Sequence, residues 1–563
     1  MKKLRWQLII LLLTGLVVGV LLIAEQPGES LTPFTTAEPE QGGIYTEALV
    51  GSLQRLNPLF DQYNSADRDI NRLIFSGLVR FDARGLPQPD LAETWGLSED
   101  GLLYNFKLRE GIKWHDGADL TAADVLFTVN LLRQESEYIP ADLSEFWNSV
   151  EVVGEGLDVQ FQLPEPFAPF MDYLSVGILP EHLLGALPVE QIVDSPFNLQ
   201  PVGSGPFRFE RAMVENEQVT GIVLRRFDEF YGDVPFLDQI IFRYYSDSAA
   251  AMSAYQEGQV QGISYISTDV LERALSEPEL ALYTGRKPEQ AMVFFNLKSQ
   301  QAEFLSDIIV RKALFMGINR QWIVDRVLNS QAIVADGPVF PGTWAYYEGL
   351  KRQEYDPEAA RNLLVEAGFL LEEGATVRTS EGVELAFTLL YPDDAIHAAV
   401  AEALRKYWAD LNAQVDLEAV PYDLLVSERL QARDFDAVLV DMNFTRSPDP
   451  DPYPFWDSVQ ATNGQNYTQW NQKVASEYLE QARVTTDLAE RARLYRNFQV
   501  IFADELPALP LYYPVYNYGV SEDVQGVRMG PLFDSSDRFS TVTQWHLNAV
   551  PAAASVETPE PGQ

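Results

Sequence analysis

The chain has 563 residues and no cysteine, and its 82 acidic residues against 41 basic ones give a formal net charge of −41. This length exceeds what one hydrophobic core can organise and predicts two or three domains. The acidic surface disfavours binding to nucleic acid, and the lack of cysteine excludes disulfides, thiolate zinc sites, a cysteine nucleophile and a lipidated N-terminal cysteine.

The N-terminal segment predicts export from the cytoplasm. A basic flank, MKKLRW, precedes the uncharged apolar run Leu8–Ala24. We interpret residues 1–24 as a signal-anchor in preference to a cleaved signal peptide, because no small-x-small cleavage site follows the run. Since the basic flank stays in the cytoplasm, we expect the rest of the chain at the cell surface or in the periplasm, tethered to the cytoplasmic membrane by residues 8–24.

The segment LLYNFKLREGIKWHDGADLTAADVLF predicts a strand, a turn and a capped helix. Tyr104, Phe106 and Leu108 alternate with polar residues, a pattern typical of a half-buried strand. Thr121 is a favoured N-cap residue, and Asp124 three positions later completes a capping box. Apolar residues then follow at helical spacing, which indicates a helix packed against a core.

The pair His115–Asp116 lies in the turn between these two elements. A catalytic role would require a nucleophile, a metal or a second base nearby, and the surrounding sequence supplies none. Turn chemistry favours a structural role, in which both side chains hydrogen-bond local backbone. No motif for a serine nucleophile, a metalloprotease or a phosphate loop is present. We therefore predict no enzyme activity, metal or cofactor, and the four histidines are far apart in the chain: His115, His182, His397 and His546.

Several segments, in order along the chain, resemble one known family. They include LPQPDLAETWGLSEDGLLYNFKLREGIKWHDGADLTAADVLFTVN, VGSGPFRFER, YDPEAARNLLVEAGF and ARLYRNFQVIFADELPALPLYY. From about Gly42 to about Leu547 the chain is thereby similar to the family 5 solute-binding proteins, the extracytoplasmic peptide- and nickel-binding components of ABC importers.

The resemblance implies an α/β architecture: a two-lobed, type II periplasmic-binding-protein-like fold with an extra subdomain and an interlobe cleft. Local signals agree, because Asp356 is an N-cap, Pro357 takes the first helical position and Gly368 follows the helix. Strand-like runs such as FDAVLVDMNF and VELAFTLLYP alternate with such helices. The expected boundaries are a linker at 25–41, lobe I at 42–85, 201–290 and 511–548, the extra subdomain at 86–200, lobe II at 291–510 and a disordered tail at 549–563.

The loop after FDAVLVDMNF is the best candidate for a wall of the ligand cleft, because open α/β sheets hold ligands at the carboxyl ends of their strands. Its prolines limit the ordering cost of binding. The alternative is a rigid surface loop with buried aromatic side chains. The candidate ligand-binding residues are Asn443, Phe444, Thr445, Arg446, Asp449, Asp451, Trp456, Tyr467 and Trp470.

This loop departs from the family pattern. Peptide-binding members are expected to carry an aspartate here that pairs with the ligand's α-amino group, whereas this chain has Arg446. An arginine repels an ammonium group but binds a carboxylate through two parallel hydrogen bonds. We therefore predict that Arg446 selects an anionic group on the ligand, with surface pairing to Asp449 or Asp451 as the alternative. Bare nickel is disfavoured because cysteine is absent and histidine is scarce, but nickel inside an organic chelate escapes this objection.

The resemblance implies a monomeric extracytoplasmic solute-binding protein that captures a peptide or similar organic solute. It would deliver that solute to an ABC permease and its ATPase subunits. The alternatives are a membrane-anchored ligand sensor or chaperone-like binding protein without a transport role, and an exported hydrolase.

Overall fold

The structure, a computed structural model, describes residues 41–548. Its main feature is a sheet of twelve strands. We call the part around the strand Ile44–Val50 lobe I and the part around the strand Ala437–Asn443 lobe II. The other strands in lobe I are Phe207–Glu215, Gln218–Arg226, Gln239–Tyr245, Gly262–Ile263 and Leu280–Arg286; those in lobe II are Glu289–Phe295, Ala332–Val334, Ala386–Pro392 and Gln414–Val420; and Ala508–Ser521 is shared.

Two chain segments cross between the lobes side by side. The first consists of the strands Leu280–Arg286 and Glu289–Phe295, joined by two residues, and we call it the crossover. The second is the strand Ala508–Ser521, which we call the shared strand. Its first part pairs antiparallel with Glu289–Phe295 in lobe II, and its second part pairs antiparallel with Leu280–Arg286 in lobe I. Two adjacent crossings of this kind form a hinge about which the lobes can rotate.

Lobe I shares one hydrophobic core with a smaller antiparallel sheet of four strands. The four strands are Ala92–Leu97, Leu103–Leu108, Glu151–Glu155 and Asp158–Gln162. This sheet and its helices form the extra subdomain, so the subdomain is packed onto lobe I and not only tethered to it. The helices of both parts are Ser65–Ile74, Ala122–Leu132, Ala141–Ser149, Glu181–Leu184, Val189–Ile192, Ser248–Gln256 and Leu271–Leu275, with a 3₁₀ helix at Ala168–Leu174.

Lobe II has a core on each face of its sheet. Along Ala437–Asn443, Leu439 packs into one core and Val438 and Val440 into the other, as alternation along a strand dictates. Helices cover both faces, so the central strands Glu289–Phe295 and Ala437–Asn443 are largely buried, whereas the edge strand Gln414–Val420 stays partly exposed. The helices are Ile308–Met316, Arg320–Trp322, Pro357–Glu366, Ala395–Ala409, Tyr422–Leu424, Tyr453–Trp456, Gln460–Asn463, Lys473–Val484 and Leu488–Glu505.

The local elements predicted from sequence are confirmed. In Leu103–Leu108 the three alternating apolar residues are buried. The helix Ala122–Leu132 begins with the capping box of Thr121 and Asp124. In the helix Pro357–Glu366 the Asp356 side chain caps the N-terminus, and Gly368 follows the C-terminus with φ +86°.

The predicted signal-anchor, nearly all of the linker and the tail fall at residues 1–40 and 549–563, outside the described range. Between Gln41 and Asn548 no helix combines the length and the apolar character that a membrane span requires.

The contacts of His115 are not local, so that part of the prediction is wrong. The prediction holds for Asp116, whose carboxylate accepts a hydrogen bond from the Ala118 amide of the same turn at 3.1 Å. The His115 ring instead reaches Gly203 and Gly205: Nδ1 accepts from the Gly203 amide at 3.2 Å, and Nε2 donates to the Gly205 carbonyl at 3.0 Å. Burial lowers the pKa of His115 to about 4, so the ring is neutral and joins the extra subdomain to lobe I.

Replacing His115 by alanine is expected to cost about 2 kcal/mol of unfolding free energy at pH 7, because a buried amide and a buried carbonyl lose their partner. The folded ring resists protonation, whereas the unfolded ring takes a proton below its usual pKa of 6.5. The stability that neutral His115 provides is therefore present above about pH 6.5 and lost as the pH falls towards 4. Denaturant titrations at several pH values should show the gap between wild type and variant narrowing over that range.

His546→Ala, a change at a partly exposed histidine, serves as the control and should alter stability by less than about 0.5 kcal/mol. A large loss of ligand affinity in His115→Ala with unchanged stability would show that His115 is a binding residue.

Candidate functional site

The parallel strands of lobe II end together at one edge of the sheet, where the predicted cleft loop begins. Ala386–Pro392 lies between Gln414–Val420 and Ala437–Asn443, and both pairings are parallel. From Asn443 the chain turns towards the other lobe. The Phe444 amide donates to the Pro288 carbonyl at 2.8 Å, and the Arg446 amide donates to the Phe533 carbonyl at 2.8 Å. The start of the loop thus lies against the crossover and lobe I.

A cavity of about 340 Å³ lies at this junction of the lobes. Lobe I contributes Ser264 and Tyr265, the crossover contributes Lys287 and Glu289, and the loop contributes Thr445. The shared strand adds Tyr516. The wall therefore draws on both lobes and on both crossing segments, which is the geometry of a ligand site that closes about a hinge.

Arg446 forms an ion pair between the lobes. Its Nη1 lies 3.0 Å from Oδ1 of Asp61 in lobe I; the arginine side chain is 40% exposed and the aspartate only 1%. Asn71 donates to the second oxygen of Asp61 at 2.9 Å. Burial raises the pKa of Asp61, and the positive charge of Arg446 opposes that rise. Arg446 therefore pairs with Asp61 and not with Asp449 or Asp451, the two partners in its own loop that the sequence suggested.

Asp449 and Asp451 are paired with other arginines. Arg491 contacts both oxygens of Asp449 at 2.6 and 2.9 Å. Arg483 contacts Asp451 at 2.7 Å. The Asp449 amide donates to the carboxylate of Asp172 in the extra subdomain at 3.0 Å. This part of the loop is therefore a contact between lobe II and the subdomain, and its carboxylates are already neutralised by protein partners.

The aromatic residues among the nine candidates belong largely to the lobe II core. Trp456 and Trp470 are 1% and 3% exposed, and Phe444 is 8% exposed. Tyr467 is partly exposed and lies 4.8 Å below the Arg433 guanidinium. Asn443 is exposed and its side chain accepts from the Thr445 amide at 2.8 Å. Of the nine, Asn443, Thr445 and Arg446 lie at the junction of the lobes, and Phe444 reaches it through its backbone amide alone.

Sequence reasoning missed the crossover residues. Lys287 and Glu289 lie in GRKPEQ, which carries no recognisable binding motif. They reach the cavity only because the chain changes lobes at that point, and this is a property of the sheet order. The histidines do not converge: His182 contacts Asp116 at 2.8 Å, and His397 contacts Asp394 at 2.6 Å. Across the described range no set of three or more histidine, aspartate or glutamate side chains is placed to hold a metal ion.

Two lobes, two adjacent crossings and a cavity between the lobes define a hinged binding protein. Comparison with known proteins gives the family. A sequence model described as bacterial extracellular solute-binding proteins, family 5 Middle, matches residues 87–466. This match covers more than half of the chain, and the chain belongs to the family 5 bacterial extracellular solute-binding proteins. The fold class expected from sequence is confirmed, and the family is one of binding proteins.

Curated relatives and solved structures agree with this assignment. The oligopeptide-binding protein AppA of Bacillus subtilis (strain 168) is 28% identical over 89% of this chain and 91% of its own length. The dipeptide-binding protein of Escherichia coli (strain K12) is 27% identical over 90% and 96%. The structure of Bacillus subtilis AppA with a nonapeptide has a TM-score of 0.67 at 25% identity, covering 91% of this chain and 100% of that one. NikZ from Campylobacter jejuni with Ni(L-His) has a TM-score of 0.67 at 26% identity, covering 89% and 99%.

Proposed function

We propose that the protein captures a peptide or a similar organic solute outside the cytoplasm and delivers it to the permease of an ABC importer. The observation that carries this proposal is the cavity of about 340 Å³ whose wall combines both lobes and both crossing segments. Ligand binding that closes such a hinge shifts the protein to a closed form, and a permease can distinguish this form from the open, empty one. The names of the relatives, oligopeptide- and dipeptide-binding proteins, support peptides as the ligand class.

The proposal is tested by identifying what the protein carries. Residues 42–548 are purified without denaturation, and ligands released by acid are identified by mass spectrometry. Peptides or small peptide-like solutes are the expected result, and each should raise the melting temperature when added back to ligand-free protein. Recovery of a lipid or a folded protein as the sole ligand would contradict the proposal.

We also propose that residues 8–24 hold the protein at the membrane, since the chain has no cysteine to carry a lipid. A chain that starts at Gly42 is expected to be soluble, monomeric and as active in ligand binding as the full chain. Fractionation of cells that express each form checks this. Full-length protein that is released freely, with a new N-terminus near Glu25, would show that the segment is a cleaved signal peptide.

For Arg446 we propose that the ion pair with Asp61 helps to hold the lobes together around the ligand. Arg446→Ala is then expected to weaken binding of the co-purified ligand about tenfold, or about 1.4 kcal/mol. Because the Arg446 side of the pair is solvent-exposed, the pair itself contributes about 1 kcal/mol or less. The rest of the expected loss in binding energy arises because, in the variant, the buried Asp61 carboxylate has no arginine to pair with when the lobes close. Calorimetry measures the effect, with Arg405→Ala on the exposed surface as the control.

Asp61→Asn separates this role from direct selection of an anionic ligand. If the pair holds the lobes together, Asp61→Asn also weakens binding. If Arg446 instead binds a ligand anion, Asp61→Asn frees the guanidinium and strengthens binding, and Arg446→Ala costs roughly 2–5 kcal/mol. Affinities within threefold of wild type for both variants would contradict both roles.

A further inference from the structure

The end of the large sheet farthest from lobe II carries a group of arginines on one face. It consists of the strands Phe207–Glu215, Gln218–Arg226 and Gln239–Tyr245. Alternate side chains of these strands, such as Ile222 and Phe242, are fully buried in the lobe I core. The side chains between them point to the opposite face, as alternation along a strand dictates. The basic residues on that face are Arg208, Arg211, Arg225 and Arg243, and we call this surface the arginine face.

The four arginines are close neighbours. Arg208 and Arg225 lie directly opposite each other on antiparallel strands. A register shift in the edge strand brings Arg211 to the same face, and Arg243 lies on the third strand. Arg211 and Arg225 are exposed, and the other two are partly exposed. Like charges directly opposite each other destabilise a sheet, and an anion bound to this face would offset that cost.

The carboxylates of this region do not neutralise the arginine face. Glu210 lies on the face, since its carboxylate accepts from the Gln239 side chain at 2.8 Å. The other acidic residues of these strands and their connections lie at strand ends and in turns: Glu215, Glu217, Asp228, Glu229, Asp233 and Asp238. Of these, Asp228 and Asp238 pair with Arg226, at 2.8 and 2.9 Å. Across the described part of the chain none of the four arginines forms an ion pair, so four positive charges accompany one carboxylate in a protein whose net charge is −41.

The described chain enters lobe I beside the arginine face. Its first strand begins at Ile44, which lies in register with Gln239, and Gln239 pairs with Arg225 on the next strand. Arg225 and Arg208 complete one row across four strands, about 14 Å from end to end. The membrane segment proposed above is joined to this corner through residues 25–41, a length of chain that spans at most about 60 Å. The arginine face is therefore within reach of the bilayer surface.

We propose that the arginine face docks lobe I onto the anionic lipid headgroups of the membrane that holds the chain. Arginine binds phosphate oxygens through two parallel hydrogen bonds. Each basic side chain near an anionic bilayer increases partitioning about fivefold, or about 1 kcal/mol. The acidic remainder of the surface is repelled by the same headgroups, so docking through this face also orients the protein. This inference goes beyond ligand capture and does not depend on which ligand is bound.

Docking through the arginine face leaves the ligand site free. The strand Ile44–Val50 is seven residues long, or about 20 Å. It begins beside the arginine face, whereas Val50 at its other end lines the interlobe cavity. The arginine-bearing strands are also the ones farthest from lobe II in the sheet order. A docked lobe I therefore keeps the cavity away from the lipid and lets lobe II rotate about the hinge.

The test measures by flotation how residues 42–548, which form one compact unit with both lobes, partition onto lipid vesicles. The vesicles consist of phosphatidylcholine alone or of an equal mixture with phosphatidylglycerol. The salt concentration is about 0.15 M, where a screening length of about 8 Å weakens the repulsion from distant acidic residues. Wild type is expected to prefer the anionic vesicles by about thirtyfold or more.

Arg208→Gln combined with Arg225→Gln should reduce partitioning onto the anionic vesicles about 25-fold, because two favourable charges are lost. Arg208→Lys combined with Arg225→Lys keeps both charges and should retain most of the partitioning. The control is Arg405→Gln combined with Arg493→Gln, which changes the net charge equally at two exposed arginines of lobe II and should behave as wild type. The melting temperature of the first variant, expected to be unchanged or higher because like charges are removed, shows that it is folded.

Equal partitioning of wild type onto both kinds of vesicle overturns the proposal, and so does an anionic preference that persists in Arg208→Gln combined with Arg225→Gln. A synthetic peptide with the sequence of residues 25–41, which has four glutamates and no basic residue, serves as a second probe. If this peptide binds through the same arginines while the vesicles do not, the face binds acidic polypeptides, and the lipid proposal is wrong. None of these outcomes bears on ligand capture, so the proposed function is tested separately.

Discussion

Replacing Arg538 by methionine is expected to lower the unfolding free energy by about 3–5 kcal/mol at pH 7, because it leaves two buried carboxylates without their cation. Arg538 is fully buried, and its two terminal nitrogens each lie 2.7 Å from a carboxylate, one of Glu47 and one of Asp69. Tyr518 of the shared strand donates to the other oxygen of Glu47 at 2.7 Å. The loss should appear as a lower midpoint in denaturant titrations.

The control for this variant is Arg528→Met, an exposed arginine ten positions earlier, which should change stability by less than about 0.5 kcal/mol. Adding Glu47→Gln and Asp69→Asn to Arg538→Met should restore much of the loss, since no unpaired charge then remains. Equal stabilities of Arg538→Met and wild type would show that water reaches these carboxylates in solution.

Arg491→Met is expected to cost a similar 3–5 kcal/mol at pH 7 for the same physical reason. Arg491 is 5% exposed and contacts both oxygens of Asp449, which is 9% exposed. Without the guanidinium, Asp449 and Asp451 would share the single positive charge of Arg483. Arg493→Met, two positions along the same helix and exposed, is the control and should lie within about 0.5 kcal/mol of wild type.

The carboxyl groups around Arg491 also make the stability of the protein fall as the pH rises. Burial, and then the negative charge of Asp449, raise the pKa of Asp172 well above its usual value of 3.8. Folded Asp172 therefore keeps a proton that the unfolded residue has already lost. Its contribution to stability is full below about pH 3.8 and is lost as the pH rises through its raised pKa. Asp172→Asn keeps an acceptor for the Asp449 amide and should remove this fall in unfolding free energy as the pH rises. If denaturant titrations of the variant show the same fall as wild type, another group causes it.

The elements that the sequence predicted correctly depend on signals within about ten residues. The strand Leu103–Leu108 follows from alternation, and the helix Ala122–Leu132 follows from the box formed by Thr121 and Asp124. The interlobe contacts depend on sheet order, which local signals do not contain. Asp61 and Arg446 meet across hundreds of residues of sequence, and Arg446 therefore could not be assigned its partner beforehand. For the same reason the turn sequence predicts local hydrogen bonds for His115, whereas its ring hydrogen-bonds to Gly203 and Gly205.

For the candidate cleft residues, too, local sequence predicts position along the chain but not burial. The position after a strand end points to Asn443, Thr445 and Arg446, and the structure places these residues at the junction of the lobes; their part in ligand binding stays a prediction. Composition does not separate aromatic side chains in a core from those in a pocket, so the sequence presents Trp456 and Trp470 as candidates although both are buried in the structure.

The shared strand affects how incomplete or cleaved chains of this protein behave. Ala508–Ser521 pairs with strands of both lobes, so neither lobe is complete until nearly the whole chain has been synthesised. A ribosome-bound or truncated chain that stops before Ala508 exposes open strand edges in both halves, and such edges template aggregation. A single proteolytic cut within this strand would likewise disrupt both halves at once, so the two lobes form one cooperative unit in degradation even though two crossing segments join them as a hinge.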